Sequence, residues 1–258
     1  ADSVGLGKTF SALAVIKYFE LKRKRVLVLS PKRLRDNWTL YTTPDVRNIL
    51  RDDYFNYTVL NHTDLGRDSG KSGEINLESF SWSDFDLVVI DESHNFRNNN
   101  SGNNGKKSRY QRLMDDVIKS GRETKILMLS ATPINNRMND LKNQISLMTE
   151  ENTKAFNDYG INDIDNEIKK AQTVFNSWMK LDPEEKTTQS FLEKINPGYF
   201  KILDMLTIAR SRKHIEKYYD TKAIGSFPER LKPITLKSDI DNSGQFPDLQ
   251  DVYKKIGN

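Results

Sequence analysis

The sequence predicts an α/β fold, a mainly parallel sheet flanked by helices with a helical insertion, and three observations carry that prediction. Three short apolar runs, Val26–Leu29, Leu87–Ile90 and Ile126–Leu129, are continuous and largely branched, the pattern of strands buried on both faces of a parallel sheet. Stretches of helical character separate them, and that alternation favours parallel pairing through crossover connections. A glycine turn, Gly5-Leu6-Gly7-Lys8-Thr9, opens directly into the first helical stretch.

From Thr9 to about Leu21, the apolar residues Phe10, Leu13, Ala14, Ile16, Phe19 and Leu21 nearly encircle the helix, so it is expected to be wedged against the sheet. A weaker strand signal lies at Tyr57–Leu60, between the first two runs. Residues 97–108, RNNNSGNNGKKS, are expected to form a mobile loop. From about 140 to 208 there is no strand signal and the pattern is helical. Within it, Asp182-Pro183-Glu184-Glu185 reads as a helix start, with an N-cap, a proline at the first position and acids in the first turn. The expected organisation is a nucleotide-binding lobe over 1–140, a helical insertion over 141–208, and a basic segment with linker over 209–258.

Composition narrows the function classes. The 258 residues suit one large domain, or one with an insertion, and 36% hydrophobic with 29% charged residues suits a globular protein. No apolar run approaches the roughly 18 residues that span a bilayer, so no membrane partner is expected. With no cysteine, disulfides and thiolate metal sites are excluded, and a reducing cytoplasm is compatible. A net charge of +4 leans weakly towards an anionic partner.

The turn at 5–9 has the chemistry of a phosphate loop. Glycines allow a tight bend with amides pointing inward, a lysine meets the β and γ phosphates, and a hydroxyl meets Mg2+. Gly5, Gly7, Lys8 and Thr9 stand in that order, although Asp2 occupies the position where the pattern GxxxxGK[ST] has its first glycine. The run at 87–90 ends in Asp91-Glu92-Ser93-His94. Phosphoryl transfer needs one carboxylate for the Mg2+ shell and one for the attacking water, and Asp91 and Glu92 fit those roles. Leu129-Ser130-Ala131-Thr132-Pro133 follows the next run, where small hydroxyl residues can bond to acids on the neighbouring strand.

DSVGLGKT, VVIDESH and LSATPINN, in that order, resemble motifs I, II and III of superfamily-two helicases, and more narrowly those of SWI/SNF-type DNA translocases. VLVLSPKRLRDNW at 26–38 is similar to that family's motif Ia. Ala209 to Lys213 with Phe227-Pro228-Glu229-Arg230 resembles the stretch leading out of the first motor lobe. The chain also resembles bacterial members fused to a phospholipase-D-like domain. These anchors cover roughly 1–140 and 205–237; the helical part matches only in position.

The resemblance implies a RecA-like P-loop NTPase lobe that uses ATP and Mg2+ and moves along the backbone of duplex DNA without reading sequence. It implies nucleotide binding by Gly5, Leu6, Gly7, Lys8 and Thr9, and Mg2+ held by Thr9 and Asp91, partly through water. Lys8, Asp91 and Glu92 are the implied catalytic residues, and His94, Ser130 and Thr132 couple hydrolysis to movement. Ser30, Lys32 and Arg33 are candidates for DNA phosphate contact. Arg210, Arg212 and Lys213 pair with acids of a second RecA-like lobe or touch DNA, the interlobe role being favoured. The first strand and an adenine-recognising segment are expected upstream of Ala1. The implied setting is the cytoplasm of a bacterial cell, in association with the nucleoid. Alone, this lobe is expected to hydrolyse ATP weakly, because an arginine from the second lobe is worth about 10³–10⁵ in related enzymes.

Two rivals stand beside this reading. A P-loop kinase or GTPase leaves LSATP unexplained, and a DNA-binding or scaffold module with a vestigial site sits poorly with intact Lys8, Thr9, Asp91 and Glu92. The three histidines are too far apart for a metal site, with His62 and His214 expected to be structural or solvated, and Trp38, Trp82 and Trp178 are expected to be packing residues.

Overall fold

The structure is a computed structural model and describes residues 2, 5–98, 107–120, 123–132, 138, 140–182 and 184–219. The chain forms two compact units, Ala1–Tyr218 and Tyr219–Asn258, and all but Tyr219 of the second lies outside the described residues. So do residues 99–106 of the loop expected at 97–108, Pro133 to Asn136, and Phe227 to Arg230.

Among the described residues, four strands make one parallel sheet. These are β1 (Val26–Ser30), β2 (Thr58–Asn61), β5 (Leu87–Ile90) and β6 (Lys125–Met128), in the spatial order β2-β1-β5-β6. Two-residue strands β3 (Lys71–Ser72) and β4 (Ile75–Asn76) form a separate antiparallel hairpin. The α/β fold read from the sequence is therefore the fold observed. The apolar runs are continuous because alternate residues feed opposite faces. Val26 and Val28 of β1 join Leu87 and Val89 of β5 in the same layer as Ala12, Leu13 and Ile16, while Leu27 and Leu29 face Leu65, Phe96, Leu113 and Met114.

Helix α1 (Lys8–Leu21) covers the first face with Ala12, Leu13 and Ile16. It is not fully wedged: Phe10, Tyr18 and Leu21 are exposed, with Phe10 meeting the edge of Tyr41 and Tyr18 the ammonium of Lys22. Strand β6 also departs from expectation. Lys125 is exposed and Ile126, Leu127 and Met128 are only half-buried, since among the described residues β6 is paired on one side alone.

The other face is covered by α3 (Arg109–Arg112) and the wider turn Leu113–Ile118 that continues it. Helix α2 (Arg35–Thr39) follows a 3-10 turn at Lys32–Leu34. Helices α4 (Asp140–Thr149), α5 (Ile164–Met179) and α7 (Pro197–Leu206) build a core of their own around Ile145, Ile168 and Ile202. The start expected at Asp182 is displaced. Helix α6 (Thr188–Leu192) begins five residues beyond Pro183, where the Thr187 hydroxyl accepts the Ser190 amide while Ser190 Oγ accepts the Thr187 amide, a reciprocal cap that the acids cannot match. Helix α8 (Arg212–Tyr218) follows.

Candidate nucleotide site

The candidate residues gather at the carboxyl ends of the strands, where ligand sites of open α/β sheets lie. Gly5 and Gly7 adopt left-handed backbone at φ 82° and 75°, which side-chain-bearing residues rarely take. Gly7 caps α1, and a Cβ built there would meet nothing within 4 Å, so the space above the first turn is open. The Lys8 ammonium donates to the Asp2 carbonyl at 3.0 Å, and Thr9 lies in the first turn beside it.

Asp2 is buried and clamped by Arg210, from far along the chain. The Arg210 backbone amide donates to Asp2 Oδ1 at 3.0 Å, and its guanidinium reaches both carboxylate oxygens and Ser11 Oγ. Burial alone pushes the Asp2 carboxyl up, but the hydrogen bonds and charge of Arg210 outweigh it and hold it below its ordinary value. The structure thus turns Arg210 towards the phosphate loop of its own unit. Arg212 Nη2 lies 4.0 Å from a Cβ built on Gly5, and Lys213 is exposed.

At the end of β5, Asp91 is held at both oxygens. Oδ1 accepts the Glu92 amide and Oδ2 accepts the Trp38 indole N–H, each at 2.9 Å. Glu92 has left-handed backbone, φ 48° and ψ 50°, and its Oε2 lies 3.2 Å from His94 Nδ1. His94 Nδ1 in turn lies 3.5 Å from Ser130 Oγ, which accepts the Thr132 amide at 3.1 Å. Ser93 donates to Gln144 Oε1 on α4 at 3.1 Å. Beneath, His62 is buried with Nε2 3.3 Å from the Leu29 carbonyl. Burial, which outweighs that contact, pushes its pKa down to about 4 and keeps it neutral at pH 7.

Lys8, Ser93, Ser130, Gln144 and Arg210 share the rim of a groove of about 270 Å³ floored by β6. The three sequence motifs therefore converge. Lys32 and Arg33 stand apart, exposed on the turn after β1. Ser30, the last residue of β1, is fully buried, and its Oγ has no hydrogen-bond partner among the described residues. Trp38 is a packing residue that also donates, and neither that bond nor Gln144 was foreseen; the adjacent Asn37-Trp38 of the motif Ia resemblance was the one available signal.

Asp91 and Thr9 offer the hard oxygen donors that Mg2+ takes, and no group of three or more His, Cys, Asp or Glu residues suited to a metal occurs among the described residues. That donor set fits an ion held by one or two protein groups, with phosphates and water completing its shell. No described helix is long and apolar enough to cross a membrane.

A parallel sheet carrying a phosphate loop and paired acids at its carboxyl end defines a RecA-like α/β lobe of the P-loop NTPase class. The chain belongs to the family described as type III restriction enzyme, res subunit, which matches residues 2–135. It is 30% identical over 170 residues to SWI/SNF-related matrix-associated actin-dependent regulator of chromatin subfamily A-like protein 1 of Xenopus tropicalis, covering 62% of this chain and 16% of that protein. It is 30% identical over 156 residues to the uncharacterized ATP-dependent helicase YqhH of Bacillus subtilis, covering 57% and 25%. With the mouse DNA annealing helicase and endonuclease ZRANB3 it shares 28% over 167 residues, covering 57% and 14%. The likeness to the first motor lobe of SWI/SNF-type proteins, drawn from the motifs, is borne out. The chain spans a quarter or less of the length of these relatives.

Proposed function

We propose that this lobe binds ATP with Mg2+ and hydrolyses it to drive movement of a larger protein along duplex DNA. The observation that carries the reading is the pair of acids after β5: Asp91 is fixed at both oxygens, and Glu92 is turned out in a left-handed conformation beside His94. The first-turn amides and Lys8 bind phosphate oxygens. Thr9 and Asp91 would hold Mg2+, which would supply charge stabilisation to the transferred phosphoryl group. Glu92 orients the attacking water and takes its proton, and His94 links Glu92 to Ser130 and so relays the state of the site to Thr132. Lys32 and Arg33 contact DNA phosphates without reading sequence. Arg212 and Lys213 face a second lobe, and the setting is the bacterial cytoplasm at the nucleoid.

In the full-length protein, Lys8→Ala loses nucleotide binding, whereas Glu92→Gln keeps binding and loses about 10²–10⁴ in ATPase rate. Calorimetry and phosphate release check both. DNA-stimulated hydrolysis retained in either variant sinks the assignment, and absence of nucleotide binding in the unmodified protein favours a scaffold module with a vestigial site.

A further inference from the structure

We infer that Trp38 is a positioning residue for Asp91, its indole N–H setting the orientation in which the carboxylate meets a magnesium–nucleotide complex. The inference rests on the nucleotide-binding reading above and deepens it. Trp38 is fully buried, and its Nε1 donates to Asp91 Oδ2 at 2.9 Å while the Glu92 amide occupies Oδ1. One donor at each oxygen fixes the plane of the carboxylate and leaves further lone pairs on both oxygens. A single bond would leave it free to turn about that contact.

The donor is itself held. The Tyr57 hydroxyl donates to the Trp38 carbonyl at 2.6 Å, and the two rings meet edge to face at 6.3 Å and 82°. Tyr57 is buried too, and burial pushes its phenol far above the ordinary value, so it stays a donor. A residue wanted only for bulk between α2 and β5 has no need of an N–H, and a buried indole without an acceptor is destabilising. The acceptor supplied here is the acid that the nucleotide chemistry requires. Partners of this kind, one step behind a metal-holding group, change metal affinity by about 10–100-fold when removed.

The test replaces Trp38 in the full-length protein with 3-benzothienylalanine, which keeps the shape and substitutes sulfur for the N–H, and separately makes Trp38→Phe. Calorimetry with a non-hydrolysable ATP analogue, with and without Mg2+, gives the factor by which the ion strengthens binding. That factor is expected to fall about tenfold or more in both variants, with Mg2+-free binding unchanged. A benzothienylalanine variant with the unmodified protein's Mg2+ factor overturns the inference and leaves indole packing as the whole role. An unmodified protein that binds no nucleotide overturns the parent reading and this one together. One that binds nucleotide with no Mg2+ enhancement overturns only the metal role of Asp91 and Trp38. Should neither variant fold, the unmodified protein labelled with 5-fluorotryptophan decides: adding Mg2+ to the nucleotide complex moves the Trp38 fluorine resonance and leaves those of Trp82 and Trp178, and an unmoved Trp38 resonance overturns the inference.

Discussion

Glu92 sits at φ 48°, where its Cβ crowds the following carbonyl, at a cost of about 1–2 kcal/mol for a side-chain-bearing residue. The turn is kept by the Asn95 amide and side chain, which both donate to the Glu92 carbonyl. Glu92→Gly is therefore expected to raise the unfolding free energy by about 1 kcal/mol while removing hydrolysis. Denaturant unfolding checks this, and equal or lower stability would end the strain account. At this scale the sequence was a partial guide. The motif spacing singled out Lys8, Asp91 and Glu92 as candidates because phosphoryl-transfer chemistry asks for those residue types in that order. It did not reveal that Trp38 donates, because an indole reads the same whether it packs or bonds. Gln144 was hidden for another reason: its partner Ser93 is 51 positions away, and no local pattern marks such a pair.

Elements were more legible than partners. Burial of every residue made β1 and β5 apparent as continuous apolar runs, because both their faces are covered. The run at 126–129 has the same character, yet β6 is half-exposed; an apolar run records what a strand prefers and not whether a neighbour is present. The helix expected from Asp182 shows a similar limit, since a reciprocal hydroxyl cap at Thr187 competes with a proline and acids upstream. Helix α5 packs Ile164, Ile168 and Ala171 into the helical core, and Ile168 is wholly buried. Ile168→Ala should destabilise the protein by about 2–5 kcal/mol through lost burial and the cavity left behind. Chemical denaturation measures it, and a loss below about 1 kcal/mol would show that the site collapses freely.

At the scale of the whole molecule, the Asp2–Arg210 clamp joins the phosphate loop to the segment after the helical core. The Asp2 carboxyl is held below its ordinary 3.8, so the clamp's contribution is complete above that pH and is lost as pH falls through the lower folded value. Melting temperatures of the unmodified protein and Arg210→Met are expected to differ by a constant amount from about pH 7 to 5, with the gap closing below about pH 4. A gap that does not narrow at all as the pH falls below the ordinary carboxylate value would assign the effect to packing of the arginine stem. The sequence showed both residues and carried no sign that they meet, because 208 positions separate them. That separation has a consequence for synthesis. At about 5–20 residues per second, Arg210 is made about 10–40 s after Asp2, so the loop waits that long for the residue that holds it. The contact that holds Asp2 therefore forms only once the whole helical core, which lies between the two residues in the chain, has been made.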